Sequence, residues 1–419
     1  MTFIEFFDRE PVENVVTCLT LVPDRVILIG DQSKLIHRHI SRYEKIFSAR
    51  GNEITFLSKT VSKSNLDHTV SVLSEIVETY DDCVFDITGG DELLLVALGI
   101  VVSRYPEKNI QIHRINVRNN AVYDCDKDGV TVESEIPKLS VAENVIINGG
   151  EVVYGDILDD KTFRWDLNDG FIRDVNAMWE ICREDPRLWN VQINTFSAME
   201  EVGTVSEDGL SACAYLPSLK HHLSQNEGRY TRAKGIIDDL LEKGLLTFYD
   251  DKDGDTVAVG YKNLQVKKCL TKAGLILELK VYISALNLAD LDGTPVYHDG
   301  ENGVLIDWDG EIHDQEQDNQ YDTRNEIDVI LMHDAIPVFI SCKNGFFTAD
   351  ELYKLNTVTK RFGGKYAKQV LVATNLQNMG ETGKYIRQRA EDMQIRLIED
   401  FRDLDDAGIE KKLKNLWRN

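Results

Sequence analysis

The sequence of 419 residues has few cysteines, and no two of them form a CxxC pair. The seven stand singly, at positions 18, 83, 125, 182, 213, 269 and 342. Such scattered cysteines indicate neither a disulfide framework nor a zinc site. We therefore expect reduced, buried thiols.

Long apolar segments are missing too. No segment approaches the roughly 20 consecutive apolar residues that cross a bilayer, and the opening MTFIEFFDRE lacks the basic region and apolar run of a signal peptide. The composition, 42% hydrophobic and 28% charged, is typical of globular proteins. We predict a cytoplasmic protein with two or three domains and no membrane partner.

Basic residues are in deficit, since the formal net charge is -24. Repulsion between this negative charge and the phosphates would oppose nonspecific coating of nucleic acid by the protein. A nuclease is not excluded, because salt screens each charge beyond about 8 Å and a bound metal ion can invert the local field.

The N-terminal third alternates strand-like apolar runs with helical periodicity. The runs cover residues 3–7, 24–30, 53–57, 83–88 and 110–117, and helical spacing covers 12–21, 62–80 and 91–104. This alternation predicts an α/β fold with a mainly parallel, doubly wound sheet. Ligands of such sheets bind beyond the carboxyl ends of the strands.

Two loops at predicted strand ends have anion-binding character. Residues 88–92, TGGDE, open a helix, where glycines permit close approach and free amides attract anions. Residues 8–11, DREP, follow the first strand, with a proline suited to a first helical position. The alternative for 88–92 is a tight turn in which Asp91 or Thr88 caps the helix.

Together the DREPxxN loop, the strand DRVILIG and the run CVFDITGGDELLLVALG resemble the CARF domain of CRISPR-associated proteins, over residues 1–140. The resemblance implies a Rossmann-like sensor that binds cyclic oligoadenylate, with cyclic tetra-adenylate favoured, across the axis of a homodimer. By position it implies the following ligand-binding residues: Asp8, Arg9, Glu10, Pro11, Asn14, Asp31, Gln32, Ser33, Thr88, Gly89, Gly90, Asp91 and Glu92.

Residues 141–268 are predicted to be a connector. Within 141–185 we expect a hairpin, from the strand-like alternation at 145–154 and the acidic turn at 156–160. Further on, a helix at 229–242 followed by two strands resembles a winged helix. That helix carries Arg229, Arg232 and Lys234 but also three acidic residues, so a structural or dimerising role is favoured over DNA reading. The acidic turn at 250–255 lacks the glutamate of a calcium loop and predicts a polar hairpin turn.

Residues 269–419 contain charged residues inside apolar strands. Asp328 lies in a strand at 326–332, and Lys343 ends a strand at 337–343, after a helix at 271–288 that carries Glu278. Buried charges are costly unless they are paired or bind a metal. Carboxylates that hold Mg²⁺ or Mn²⁺ beside a lysine suit phosphodiester hydrolysis. The alternative is an ion pair of Asp328 with Lys343 that locks a hairpin.

The order helix, strand, EID, strand, xxK, helix resembles the PD-(D/E)XK nuclease fold of CARF-linked nucleases. The resemblance implies that Asp328, Lys343 and Glu278 are catalytic and that Asp328 and Glu278 hold the metal with the backbone carbonyl of Cys342. The chain departs from the pattern at Ser341, where an acid is usual. Either Glu326 or Glu278 completes the metal shell, or metal affinity is weak, or the domain is inactive.

Two functions follow as hypotheses. The first is a nuclease of type III CRISPR antiviral defence that cuts DNA or RNA when the N-terminal dimer binds cyclic oligoadenylate. The second is a ligand-responsive transcriptional regulator that uses the winged helix and has an inactive C-terminal domain. An NAD-dependent oxidoreductase is set aside, because no GxGxxG fingerprint is present.

Overall fold

The computed structural model describes residues 1–7, 10–126, 130–133, 136–226, 228–251, 253–311, 313 and 323–418. The predicted ligand residues Asp8 and Arg9 lie outside the described residues. Within this part of the chain the strands form three sheets of seven, four and six strands.

The N-terminal sheet has the order β3-β2-β1-β4-β5-β6-β7, and its first five strands are parallel. All five predicted strands are present. The apolar runs of β1, β2 and β4 are buried on both faces of the sheet, whereas β3 is an edge strand whose residues are half-buried or exposed. The strands are β1 (Thr2–Phe6), β2 (Arg25–Gly30), β3 (Thr55–Thr60), β4 (Asp82–Asp86), β5 (Asn109–Asn116), β6 (Ala121–Asp124) and β7 (Val130–Glu133).

Four helices cover both faces of this sheet. They are α1 (Pro11–Leu21), α2 (Ser33–Ala49), α3 (Leu66–Thr79) and α4 (Glu92–Arg104). Apolar residues of α1 and α2 pack into one core, and those of α3 and α4 pack into another. The arrangement is therefore doubly wound, as predicted, although α2 was not among the predicted helices.

The prediction of a hairpin that includes residues 145–154 is wrong. The segment forms α5 (Val141–Ile147), which begins with a capping box between Ser140 and Glu143, and then the short β8 (Glu151–Val152). Strand β8 pairs with a strand of the C-terminal sheet, so the connector adds an edge strand to it.

The middle sheet has the antiparallel order β11-β12-β10-β9. Helix α9 is followed by the β11 and β12 ribbon, which gives the winged-helix-like arrangement. The elements are α6 (Asp169–Glu184), α7 (Pro186–Val202), β9 (Thr204–Val205), β10 (Ser211–Tyr215), α8 (Leu216–Gln225), α9 (Lys234–Glu242), β11 (Leu246–Asp250), β12 (Thr256–Tyr261) and α10 (Leu264–Thr271).

The predicted recognition helix is shorter than expected. It begins at Lys234, so that Arg229 and Arg232 precede it, and Arg232 forms an ion pair with Asp251 at 2.7 Å. The helix therefore keeps one of the three expected basic residues.

The C-terminal sheet has the order β17-β16-β15-β14-β13-β8, in which β15, β16 and β17 are parallel. Two short 3₁₀ turns, Gln377–Met379 and Phe401–Asp403, lie in its connections. The elements are α11 (Leu275–Leu286), β13 (Asp299–Asp307), β14 (Arg324–His333), β15 (Ile336–Lys343), α12 (Asp350–Phe362), β16 (Lys368–Ala373), α13 (Gly380–Asp392), β17 (Arg396–Ile398) and α14 (Asp406–Leu413).

The helix predicted over 271–288 is in fact the end of one helix and most of another. Gly274 has φ 88° between α10 and α11, a left-handed conformation that interrupts the helix and that glycine adopts without strain.

One apolar core joins the first and third sheets. Val15 of α1 and Phe339 of β15 belong to the same buried cluster, together with Leu139 and Phe362. The two ends of the chain are thus packed as one body. No helix of the described residues is long and apolar enough to cross a bilayer.

The expectation that all cysteines are buried is wrong for two of the seven. Cys125 and Cys213 are exposed, whereas the other five are buried as free thiols.

Candidate active site and ligand edge

Asp328 lies at the centre of a cluster between β14 and β15. Its Oδ2 accepts the backbone N–H of Cys342 at 2.6 Å and the hydroxyl of Ser341 at 3.2 Å, and the Nζ of Lys343 lies 3.5 Å away. Burial raises the pKa of Asp328, against the opposing effect of Lys343. The antiparallel pairing of the two strands thus brings the three predicted residues 328, 341 and 343 together.

Lys343 is held between two carboxylates. Its Nζ is 3.5 Å from Asp328 and 3.0 Å from Glu351, in the first turn of α12. Burial works to lower the pKa of Lys343, but Asp328 and Glu351 outweigh it and raise the pKa above its ordinary value. The amine is therefore protonated at neutral pH.

Glu278 approaches the same cluster from helix α11. The helix packs on β13, β14 and β15, and the Glu278 side chain is buried with its Oε2 unpartnered among the described residues. Burial raises its pKa well above the usual value, and the charge of Asp328 adds to the effect. Two carboxyl groups therefore face each other in a poorly solvated place.

Glu326 lies two residues before Asp328, on the same face of β14. Its carboxylate forms an ion pair with Lys272 at 2.6 Å. Among the described residues no three His, Cys, Asp or Glu side chains form a ready cluster for a metal ion. The predicted residues 278, 326 and 328 are thus neighbours, but Glu326 is held by a lysine.

A cavity of about 470 Å³ opens beside the cluster. Asp328, Ser341 and Lys343 form one wall, and α12 forms another with Lys354 and Thr357. The cavity is large enough for a nucleotide and has cations on more than one side.

Two of the predicted donors, the carboxylates of Asp328 and Glu278, are of a type that suits a divalent cation. Carboxylate oxygens are the ligands that Mg²⁺ and Mn²⁺ prefer. A nearby cation would give the unpartnered Oε2 of Glu278 a partner. It would also lower the raised pKa values of Glu278 and Asp328. The Ser341 hydroxyl is instead used as a donor to Asp328, so it supplies no charge to such a site.

The predicted ligand loops meet at one edge of the N-terminal sheet. They follow β1, β2 and β4, which are neighbouring parallel strands, so their carboxyl ends lie side by side. Gly90 has φ 92°, and a Cβ there would lie 2.9 Å from the Cβ of Phe6, so the position requires glycine. Asp91 caps α4 by accepting the Leu94 N–H at 3.0 Å.

Three predicted ligand residues make internal contacts. Asn14 is buried and donates to Glu5 at 2.7 Å, and the Thr88 hydroxyl accepts the Ile115 N–H at 2.8 Å and donates to Asp86. Glu10 accepts the backbone N–H of Lys365 at 2.9 Å.

The other predicted ligand residues lie at the open edge or begin helices. Asp31 forms an ion pair with Lys63 at 3.2 Å, and Pro11 is the buried first residue of α1. Ser33 begins α2 after Gln32, Glu92 begins α4, and Gly89 lies in the loop between β4 and α4.

Sequence reasoning missed several charged residues of these sites. Glu351 was not among the predicted site residues, yet it contacts Lys343. Glu5 and Asp86 are register partners on β1 and β4, both buried, and neither was singled out. The sequence signal for Glu5 and Asp86 was the same as for Asp328, namely an acidic residue inside an apolar strand.

The three sheets confirm the predicted fold class, an α/β protein with a CARF-like Rossmann fold, a winged-helix-like region and a restriction-endonuclease-like fold. The chain is similar to the crystal structure of VC1899 from Vibrio cholerae, with 18% identity and a TM-score of 0.73 over 100% of this chain and 98% of that one. It is also similar to Can2 from Sulfobacillus thermosulfidooxidans, solved in complex with cyclic tetra-adenylate, with 14% identity and a TM-score of 0.66 over 100% of this chain and 99% of that one.

A type III CRISPR defence DNA nuclease activated by cyclic oligoadenylate matches at 12% identity and a TM-score of 0.48, over 90% of this chain and 45% of that one, too distantly to support a conclusion. No family model and no curated protein matches the sequence. At these identities the likeness to VC1899 and Can2 shows the fold, and it confirms the resemblance seen in the sequence at that level.

Proposed function

We propose that the chain is a metal-dependent nuclease that cyclic oligoadenylate activates, in CRISPR antiviral defence. The observation that carries the proposal is the buried cluster of Asp328, Lys343 and Glu278 beside a cavity of about 470 Å³. An ion pair that merely locked a hairpin would not need the additional buried carboxyl of Glu278.

The residues of the cluster have separate roles in this proposal. Asp328 and Glu278 would hold Mg²⁺ or Mn²⁺, and the carbonyl of Cys342 would be a further oxygen donor. The cation, when bound, polarises the phosphodiester and lowers the pKa of a bound water. Lys343, which is protonated at neutral pH, orients that water and stabilises the negative charge that develops on phosphorus-bound oxygens.

The N-terminal sheet is the proposed sensor. Can2 shares this fold and was solved with cyclic tetra-adenylate, which supports the same class of ligand here. We propose residues 1–140 as the sensor, 141–268 as the connector and 269–419 as the nuclease domain. Ligand bound across the axis of a homodimer would shift the population toward a cutting arrangement of the two nuclease domains.

Cleavage tests the proposal directly. A supercoiled plasmid and a labelled single strand are incubated with Mn²⁺, with and without cyclic tetra-adenylate, for the native chain, Asp328→Ala and Lys343→Ala. We expect ligand-dependent cutting that each substitution reduces about 100-fold or more, because Asp328→Ala removes a metal ligand and Lys343→Ala removes a positive charge at the reacting phosphate. Glu381→Ala, on the exposed side of α13, is the matched control and should cut normally.

A second function, a ligand-responsive regulator without nuclease activity, is supported by Ser341. Its hydroxyl stands where an acid is usual and donates to Asp328, and Glu326 is occupied by Lys272. Binding of cyclic tetra-adenylate without any cutting would favour this function. Equal cutting by the native chain and Asp328→Ala would contradict the first.

A further inference from the structure

A second cavity, of about 750 Å³, lies between the end of β5 and the C-terminal sheet. One carboxylate, Asp392, lines it. Six cationic side chains surround it: Arg118, Lys360, Lys365, Lys368, Arg396 and Arg418. In a chain with a net charge of -24, this is a strong local reversal of sign.

The cations of this basic cavity are close enough to repel one another. The pKa of Lys368 is lowered by burial and then by the charges of Arg118 and Arg396. Lys365 is paired with Glu13, but within the described part of the chain no ion pair holds Arg118 or Lys360, and both are exposed. Such an arrangement is stabilised by an anion that neutralises several charges at once.

The basic cavity is separate from the catalytic cluster. Lys368 pairs with Val338 on β15, five residues before Lys343. At about 3.3 Å per residue, the cavity therefore lies about 17 Å from the catalytic lysine along the strand.

Helix α12 borders both cavities. Lys354 and Thr357 line the catalytic one, and Asn356 and Lys360 line the basic one. The rise from Lys354 to Lys360 is about 9 Å, which equals about three base-pair steps along a duplex axis. At about 3.6 residues per turn the two sets of residues lie on different faces of α12, so a strand that leaves the catalytic cavity would cross this helix to reach the basic cavity.

We propose that the basic cavity binds the phosphodiester backbone of the nucleic-acid substrate, as an anchoring site remote from the bond that is cut. This rests on the proposed nuclease function. The lining residues that the structure describes include no aromatic ring on which a base could stack, so the contact is with phosphates and is independent of sequence.

Binding of a labelled 20-nucleotide single strand in EDTA tests this without cleavage. Arg118→Glu with Lys360→Glu is compared with Arg104→Glu plus Lys384→Glu, two exposed cations outside the cavity that give the same change in net charge. Both pairs are measured by fluorescence anisotropy at several salt concentrations, and cyclic tetra-adenylate binding is measured in parallel.

For the cavity pair we expect affinity to fall on the order of tenfold or more at 0.1 M salt. The slope of log K against log salt should become shallower by about 1.4, since two phosphate contacts are lost. The control pair should stay within about twofold of the native chain. Strand binding is measured without cleavage, so the loss of affinity in the cavity pair can be observed even if the chain cuts nothing. Failure of the anchoring site and failure of the nuclease proposal are therefore separate results.

Three results would overturn the anchoring site. They are equal losses in the two pairs, no strand binding by the native chain, and a loss of cyclic tetra-adenylate binding while strand binding is unchanged. The last result would assign the cavity to the activator instead.

Discussion

At the residue level, the N-terminal sheet contains a pair of neighbouring buried acids that cost stability when they are charged. Glu5 and Asp86 are register partners and both are buried. Burial raises the pKa of Asp86 to about 6, against the hydrogen bonds from Thr88. Burial also raises the pKa of Glu5 well above its usual value, with Asp86 adding to the effect. These groups make the sheet more stable when protonated.

Asp86→Asn should stabilise the chain at neutral pH. The folded-state pKa of Asp86 lies above that of the unfolded chain, so its contribution is fully present below about pH 4 and is lost as pH rises through about 6. A difference of about two in pKa corresponds to about 3 kcal/mol. Because the amide carries no such penalty, its advantage over the native chain should grow between pH 4 and pH 7.

Thermal unfolding at several pH values checks this prediction. Asp82→Asn, at the exposed start of the same strand, is the control and should leave the pH profile unchanged. If the advantage of Asp86→Asn were the same at pH 4 and pH 7, Asp86 would not be the group that titrates.

Among the secondary-structure elements, α12 and the residues that follow it contact both the predicted active site and helix α1 of the predicted sensor. Its first turn supplies Glu351 to Lys343. Beyond its last residue, Lys365 forms an ion pair with the buried Glu13 at 2.7 Å, and the Tyr366 hydroxyl donates to the same carboxylate. Helix α12 and the residues that follow it thus connect Lys343 to helix α1, which begins in the predicted ligand loop.

Glu13→Ala should therefore weaken the contact between the two ends of the chain. We expect a loss of about 1–3 kcal/mol of stability, because the hydroxyl of Tyr366 loses its acceptor in a half-buried place. We also expect the ratio of cleavage with and without cyclic tetra-adenylate to fall toward one.

Urea unfolding and the ratio of cleavage rates measure the two effects separately. Glu44→Ala, at an exposed position of α2, is the control for both. Lost stability with an unchanged activation ratio would show that the contact is structural and does not transmit the ligand signal.

At the scale of the whole molecule, the shared core of the first and third sheets restricts how a ligand could act. Phe3 and Val15 belong to the same buried cluster as Phe339 and Phe362. Separating the two ends of one chain would expose this close-packed core and would therefore cost free energy. Activation by the ligand would then rearrange one chain against a second copy, in agreement with the homodimer that the CARF resemblance implies.

We expect cyclic tetra-adenylate to bind one ring per two chains of 47.6 kDa. At 100 times the Kd, the ligand should add about 2.7 kcal/mol to the free energy of unfolding, because it binds only the folded state. Calorimetric titration and sedimentation check the stoichiometry and the mass. One ring per chain on a monomer would contradict the arrangement.

The sequence alone is sufficient to predict the five parallel strands of the N-terminal sheet, three of the four helices that cover it, and the two strands that carry Asp328 and Lys343. Apolar runs specify buried strands locally, and an acid or a lysine inside such a run, as at Asp328 and Lys343, stands out without any structure. Helix α2 was missed because its mean hydropathy is low, although Ile36, Ile40 and Tyr43 recur at helical spacing.

Contacts between residues far apart in the chain are visible only in the three-dimensional structure. Glu5 meets Asp86 because their strands are neighbours in the sheet, and Glu13 meets Lys365 because the two ends of the chain pack together. The basic cavity combines Arg118 with residues more than 200 positions later. Local periodicity reports the burial of each segment, but it contains no information on which segment packs beside it.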